Sequence, residues 1–303
     1  MIAAKERFLG CVFGCAIGET VAKNPDAPDF KLGANTRLAI CGGDALIRCN
    51  GNAETFKASL LASLSSLCEH TPEDQLPQSM RSLSASSKLQ VPMDESSLLD
   101  PYADINSRSI LIGSYWYDIF TKAIQYGIIS CEVTSEAPQA RCGSAAAAMG
   151  TLLAFKEVPM GCMASEIGSV TAGIDDYFSR CIKVASRMVA AGISPKSALS
   201  DNGIRGNGSA ADAMACSVFC AMRATNFNDA IMMASLCGEF SPVVGCTVGG
   251  WVGARVGLKG IPDEWVQKIE SRADLEALST DIEGAFSERK KKKNDLALMA
   301  DYA

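Results

Sequence analysis

Glycine recurs at every fourth position in an apolar stretch near the start of the chain: Gly10, Gly14 and Gly18. Around them Phe8, Leu9, Val12, Phe13, Ala16 and Ile17 fall at spacings of three and four, which predicts a helix over residues 5–22. Such a helix carries a smooth stripe along one side, where another backbone can approach closely. The stripe reads as tight helix packing rather than as ligand contact.

The helical period continues along the chain. Helices are expected at about 36–48 (Leu38, Ala39, Ala45, Leu46 and Ile47), at 52–69 (Phe56, Leu60, Leu64 and Leu67) and from Tyr115-Trp116-Tyr117 to about Tyr126. The alanine run Ala145-Ala146-Ala147-Ala148 marks a helix over 142–155 whose small side chains suit a crowded centre. Phe178, Cys181, Ile182, Ala185, Met188 and Val189 give the clearest 3.6-residue period, over 175–192, with Asp175 and Asp176 at its positive end. Ser209–Arg223 and 228–236 read as helices of small residues, and Gly249–Val256 closes the core. Residues 23–33, with Pro25, Pro28 and Gly33, read as a loop. Residues 70–105 hold four prolines and many serines, and read as a long surface loop with short helical pieces. No strand alternation is evident. The expectation is a single all-α domain of about ten or more helices over residues 1–280, followed by a polar, basic tail over 281–303 that contains Arg289-Lys290-Lys291-Lys292-Lys293.

Composition removes several functions. With 48% hydrophobic and 20% charged residues, the 303-residue chain is too apolar to be disordered. A net charge of −6 gives no general footprint for nucleic acid. The single histidine, His70, excludes sites that need two, such as a His-based zinc centre. His70 itself lies at a helix end before Pro72 and reads as a solvent-facing terminus. The 13 cysteines include no CxxC pair, and Cys11, Cys15, Cys41, Cys181, Cys216, Cys220, Cys237 and Cys246 sit in apolar segments. They read as reduced, mostly buried thiols of a cytoplasmic protein. Lys5, Glu6 and Arg7 follow the start too closely for a signal peptide, and the apolar runs are broken well short of a membrane span. Gly206-Asn207-Gly208-Ser209 is a weak candidate for an anion-holding turn. Met160, Met163, Met232 and Met233 read as core filling.

The order of segments over roughly residues 5–265 resembles the ADP-ribosylglycohydrolase superfamily. Gly14-Cys15-Ala16-Ile17-Gly18, followed by Glu19, keeps the frame of that family's Gly-Asp-Ala-x-Gly element. Gly33-Ala34-Asn35-Thr36 stands where the family has a metal-binding Thr-Asp-Asp-Thr loop, with Ala34 and Asn35 in place of both aspartates. Ser144 to Gly150 fits the Gly-Asn-Gly-small-small-Met-Arg element, with Gly150 in place of the arginine. Thr171-Ala172 stands where the family often has Thr-His. Cys237-Gly238-Glu239-Phe240-Ser241-Pro242 replaces Gly-Gly-Asp-x-Asp-Thr, and Ile261-Pro262 with Trp265 resembles the closing Ile-Pro-x-x-Trp segment.

The resemblance implies an all-α fold and, in working members, removal of ADP-ribose with a pair of magnesium ions. Magnesium needs oxygen ligands at about 2.0–2.1 Å, and two ions about 4 Å apart need several carboxylates to offset their charge. Here the corresponding positions offer Glu239, with Glu19 approaching from the first helix. The packing pattern persists while the chemistry is lost, which implies a vestigial pocket at Cys15, Glu19, Ala34, Asn35, Thr36, Gly150, Glu239, Phe240, Ser241 and Pro242 with no catalytic residue, metal or cofactor. The Phe240 ring is expected to occupy part of the old ion site. Within the superfamily the resemblance extends to its structural members, the jellyfish J-crystallins and the related selenoprotein J, which implies an eye-lens role. The sulfur of 13 Cys and 12 Met, which raises refractive index, accords with it. No nucleic-acid, membrane or ADP-ribose binding is then expected, and self-association at high concentration is the remaining contact. The alternatives are a hydrolase with an altered site using Glu19 and Glu239 as acid and base, and a pseudoenzyme that binds ADP-ribose or a nucleotide without turnover.

Overall fold

The computed structural model describes residues 2–89, 93, 98–200, 203, 204, 206 and 209–301. The helices are α1 (Ala4–Lys23), α2 (Ala34–Cys49), α3 (Ala53–His70), α4 (Gln78–Leu89), α5 (Ile110–Tyr115), α6 (Phe120–Glu132), α7 (Pro138–Phe155) and α8 (Met163–Thr171). They continue as α9 (Asp176–Ala190), α10 (Pro195–Ala198), α11 (Ala210–Arg223), α12 (Phe227–Ala234), α13 (Ser241–Val256), α14 (Asp263–Gln267) and α15 (Arg272–Asp301). Among the described residues there is no strand. Two isolated bridges, Phe30 with Ile269 and Tyr102 with Ser209, are the only extended pairings there. The fold is all-α, as the sequence predicts.

The glycine stripe of α1 has its partner in α13. A Cβ on Gly10, Gly14 or Gly18 would lie 2.2, 2.1 and 2.1 Å from the carbonyl oxygens of Gly253, Gly249 and Gly245, respectively. The two helices therefore run antiparallel with their backbones in contact, a spacing that any side chain would abolish. α7 and α11 pack against α13, while α2 and α15 pack against α1. Ala145 to Ala148 of α7 are fully buried, and Trp251 of α13 donates its indole N–H to the Ala147 carbonyl at 2.9 Å. The alanines leave room for that ring.

Several segments depart from the sequence expectation. Within residues 70–105, expected as a long loop with short helical pieces, α4 occupies 78–89 and a 3₁₀ helix begins at Ala103. Met80, Leu83 and Ser84 are buried at the helical spacing, which anchors α4 to the body. The boundary at 280 falls inside α15, where Ile282 and Phe286 are buried. The Arg289 guanidinium lies over the rings of Tyr115, Trp116 and Phe286 and pairs with Asp118, so the basic run starts as a packed helix rather than a tail. The helix expected from Tyr115 to Tyr126 is broken at Trp116–Ile119, because Trp116 turns in to pack against Tyr115 and Tyr126.

Gly238, at φ 60° and ψ −125°, divides the apolar stretch Phe227–Val256. That stretch has the length and mean hydropathy of a membrane span, longer than the sequence reading allowed, but most of it is buried in the core. Met232 is exposed whereas Met233 is buried, so only one of that pair fills the core as expected. Eleven of the 13 cysteines are buried; Cys162 is exposed and Cys181, on the rim of α9, is half-buried. His70 is exposed at the end of α3, with its Nδ1 2.8 Å from the Ser66 carbonyl. Asp175 caps α9, accepting from the Phe178 N–H at 2.6 Å. Asn207 and Gly208 lie outside the described residues.

Candidate functional site

A cleft of about 880 Å³ opens where the C-terminal turn of α1, the N-terminus of α2 and the N-terminus of α13 meet α4 and the 3₁₀ helix at 103–109. At its floor is Glu19. The residue is 3% exposed, and each carboxylate oxygen accepts two hydrogen bonds. Oε1 accepts from the Asn35 backbone N–H at 2.9 Å and from Asn35 Nδ2 at 2.8 Å. Oε2 accepts from the Thr36 N–H and from Thr36 Oγ1, both at 2.7 Å.

This geometry is a helix cap supplied from another helix. The residue before α2 is Gly33, which has no side chain to cap with. Asn35 and Thr36 carry the second and third N–H groups of α2, the donors a local cap would satisfy. Glu19 takes them instead, and its negative charge sits on the positive pole of α2. Gly33 is required for this: a Cβ there would lie 2.3 Å from the Glu19 carboxyl carbon. Asn35 Oδ1 in turn accepts from Ser107 Oγ at 3.1 Å.

The remaining expected positions divide between cleft and core. Glu19, Ala34, Asn35, Glu239, Phe240 and Pro242 line the cleft together. Thr36 is buried beside them through its bond to Glu19. Ser241 is buried, with its hydroxyl donated to the Ser235 carbonyl at 3.2 Å. Cys15 lies below the floor, where contact with Cys11 and burial push its thiol pKa well up. Gly150 is not part of the site. It packs against Trp251, with the ring 2.2 Å from where a Cβ would stand. Phe240 is half-buried on the cleft wall, and Glu239 is exposed at the rim. Among the described residues, no three His, Cys, Asp or Glu side chains converge on one point.

Other lining residues escape the sequence reading. Lys23, Lys31, Arg37 and Arg81 bring four positive charges, and Asp29 and Asp104 two further acids. Asp104 accepts from Ser79 N at 3.1 Å and Ser79 Oγ at 2.6 Å, and its pKa is raised by burial. Ser79 also accepts at 3.0 Å from Arg108, whose fully buried guanidinium bonds Thr134 Oγ1 at 2.6 Å. Burial lowers the Arg108 pKa, partly offset by Asp104. Arg37 directly follows the Gly33–Thr36 segment and is legible beside it. Arg81 is legible only once Met80, Leu83 and Ser84 are read as a helical face.

Comparison with known proteins adds to this geometry. A model of the ADP-ribosylglycohydrolase family matches residues 1–292. ADP-ribosylarginine hydrolase Tri1 of Pseudomonas putida (strain GB-1) is 29% identical over 79 residues, which are 26% of this chain and 21% of that protein. The alignment thus spans about a fifth of that relative's length. A solved ADP-ribosylglycohydrolase-related protein complex superimposes with a TM-score of 0.68 at 15% identity, over 92% of this chain and 97% of that one. At that identity the likeness concerns the fold.

Proposed function

The chain belongs to the ADP-ribosylglycohydrolase family, and from that premise we propose that it is a non-catalytic member without a dinuclear magnesium site, serving a structural, crystallin-like role. The observation that carries the proposal is the fourfold hydrogen bonding of Glu19. Magnesium dehydrates reluctantly and needs free oxygen ligands in near-octahedral order. The Glu19 oxygens are committed to the α2 backbone and to Asn35 and Thr36, and Asn35 Oδ1 faces Ser107. Ala34 and Pro242 have no ligand atom in their side chains, and the Ser241 hydroxyl is donated to Ser235. Only Glu239 keeps an exposed carboxylate among the expected ligand positions. This donor set does not fit two magnesium ions, and no hydrolytic step is derived through them.

The same bonds argue against Glu19 as an acid or base, because proton transfer needs a lone pair that can reach the substrate. The structural role is supported by thiol burial: eleven buried cysteines add sulfur to the interior while leaving little thiol to oxidise at the surface.

The test is turnover and metal binding in the intact chain. Calorimetric titration with Mg²⁺ is expected to give no saturable heat, and ADP-ribosylated arginine to release no ADP-ribose with Mg²⁺ present. Micromolar Mg²⁺ affinity, or magnesium-dependent release, would overturn the non-catalytic reading. For the structural role, light scattering on concentrated solutions is expected to show net repulsion between molecules. Net attraction and precipitation would count against it.

A further inference from the structure

The side of α15 turned away from the body has its charges sorted by sign along its length. Leu275, Ser279, Ile282 and Phe286 are buried and hold the helix against α1, α2 and α5. On the opposite side Asp274, Asp281 and Glu288 follow one another at intervals of seven residues. Lys291 and Lys292 continue the row three and four residues later. All five are exposed. The row runs for roughly 27 Å, at 1.5 Å per residue.

These charges are not met within the chain. Arg272, the sole cation of residues 272–288, pairs with Glu276 at 2.8 Å, and Arg289 pairs with Asp118. Lys292 donates to Asn50 Oδ1 at 3.2 Å, although Glu288 stands one turn before it. The side chains of Asp274, Asp281, Glu288 and Lys291 make no hydrogen bond or ion pair among the described residues. The helix dipole favours acids at a helix start and cations at its end, but only over the first and last turns. Asp281, Glu288 and Lys291 lie in the middle of a 30-residue helix. The dipole of α15 therefore does not account for the sorting.

A two-fold axis across such a helix brings the acidic half of one copy beside the basic half of the other, and the reverse. The face is thus complementary to itself when paired antiparallel. Ala277, Gly284 and Ser287, exposed between the charges, leave a second helix room to approach. We propose that the outer face of α15 is a docking surface for a second copy of this chain, with the two helices antiparallel and held by carboxylate–ammonium pairs. One helix face covers far less than the ~1,600 Å² of a standard interface, and exposed ion pairs are individually weak. The dimer is therefore transient and forms in concentrated solution. It closes on itself, and with twice the chain's net charge of −6 it still repels other dimers. The proposal and the non-catalytic reading stand independently.

The experiment is sedimentation equilibrium of the full chain, up to millimolar concentration, at low and at high salt. A monomer–dimer equilibrium is expected at low salt, weakened by about tenfold or more at high salt. Asp281→Lys combined with Glu288→Lys turns the acidic part of the row basic, and Lys291→Glu combined with Lys292→Glu turns the basic part acidic. Each double variant alone is expected to dimerise about tenfold more weakly than the parent, because attraction becomes repulsion. An equimolar mixture of the two is expected to recover the parent affinity or exceed it, which damaged folds would not do. All four positions are exposed, so thermal melts should match the parent chain. A monomer at every concentration in low salt would overturn the proposal. So would a dimer indifferent to salt or to both double variants, or a mixture that associates no better than its components. Growth beyond a dimer would show a head-to-tail contact in place of the two-fold one and overturn it as well.

Discussion

Glu19 shows how one carboxylate can have its role changed by its neighbours. Its removal strands two backbone donors and two side-chain donors at the start of α2. Glu19→Ala is expected to destabilise the protein by about 2–3 kcal/mol, measured by urea unfolding, because buried donors lose a charged acceptor. Gly33 gives a sharper test. Serine normally improves a helix cap over glycine, yet here a side chain would strike the Glu19 carboxylate. Gly33→Ser is expected to lower stability by about 1–3 kcal/mol, the range for overpacking; an increase would refute the cap assigned to Glu19. The sequence shows Glu19, Asn35 and Thr36 as candidates for one site. It does not show that they bond to each other, because the bond crosses a loop whose path is fixed by Phe30 pairing with Lys268 and Glu270 far along the chain.

At the scale of elements, the same residue type has opposite effects in different helices. Gly14→Ala would place a methyl 2.1 Å from the Gly249 carbonyl oxygen, with α1 and α13 unable to separate without opening the core. It is expected to cost more than about 3 kcal/mol or to prevent folding. Gly284 lies on the exposed side of α15 with nothing within 4 Å. Gly284→Ala is expected to stabilise by about 0.5–1 kcal/mol through helix propensity alone. Thermal melts of the two variants check both. The α1 stripe is legible because its period is strict. α4 and the later part of α15 are less so: serine dominates the first and lysine the second, while only Met80 and Leu83, or Ile282 and Phe286, mark the buried face. Ending the chain after Thr280 removes the Phe286 ring from its contacts with Phe8 and Tyr117 and the Arg289 pair with Asp118. A loss of about 3–5 kcal/mol is expected, the range for deleting a buried aromatic side chain. Lys291→Ala, at an exposed position, should change stability by less than about 0.5 kcal/mol.

For the whole molecule, thiol burial sets the response to alkali. Burial pushes Cys41, Cys131 and Cys181 from 9.0 to about 11, and Cys142 to about 12. Tyr115 rises from 10.0 to about 12 for the same reason. An acid that ionises at higher pH when folded adds stability that is full below its unfolded pKa and is lost as pH rises toward its folded value. Stability is therefore expected to fall progressively between about pH 9 and 12, as read from urea midpoints across that range. A flat profile would contradict this assignment. Under native conditions near pH 8, a thiol reagent should label Cys162 first and Cys181 slowly, with the other cysteines reacting only after unfolding.

The antiparallel contact between α1 and α13 has a consequence for biosynthesis. α1 is translated well before the helix that covers its glycines, with α2 to α12 made in between. Until then the nascent protein carries a bare backbone groove at its centre, and its last closure joins segments far apart in sequence. Folding of the core should therefore wait for α13, and a chaperone would meet this chain with α1 still uncovered.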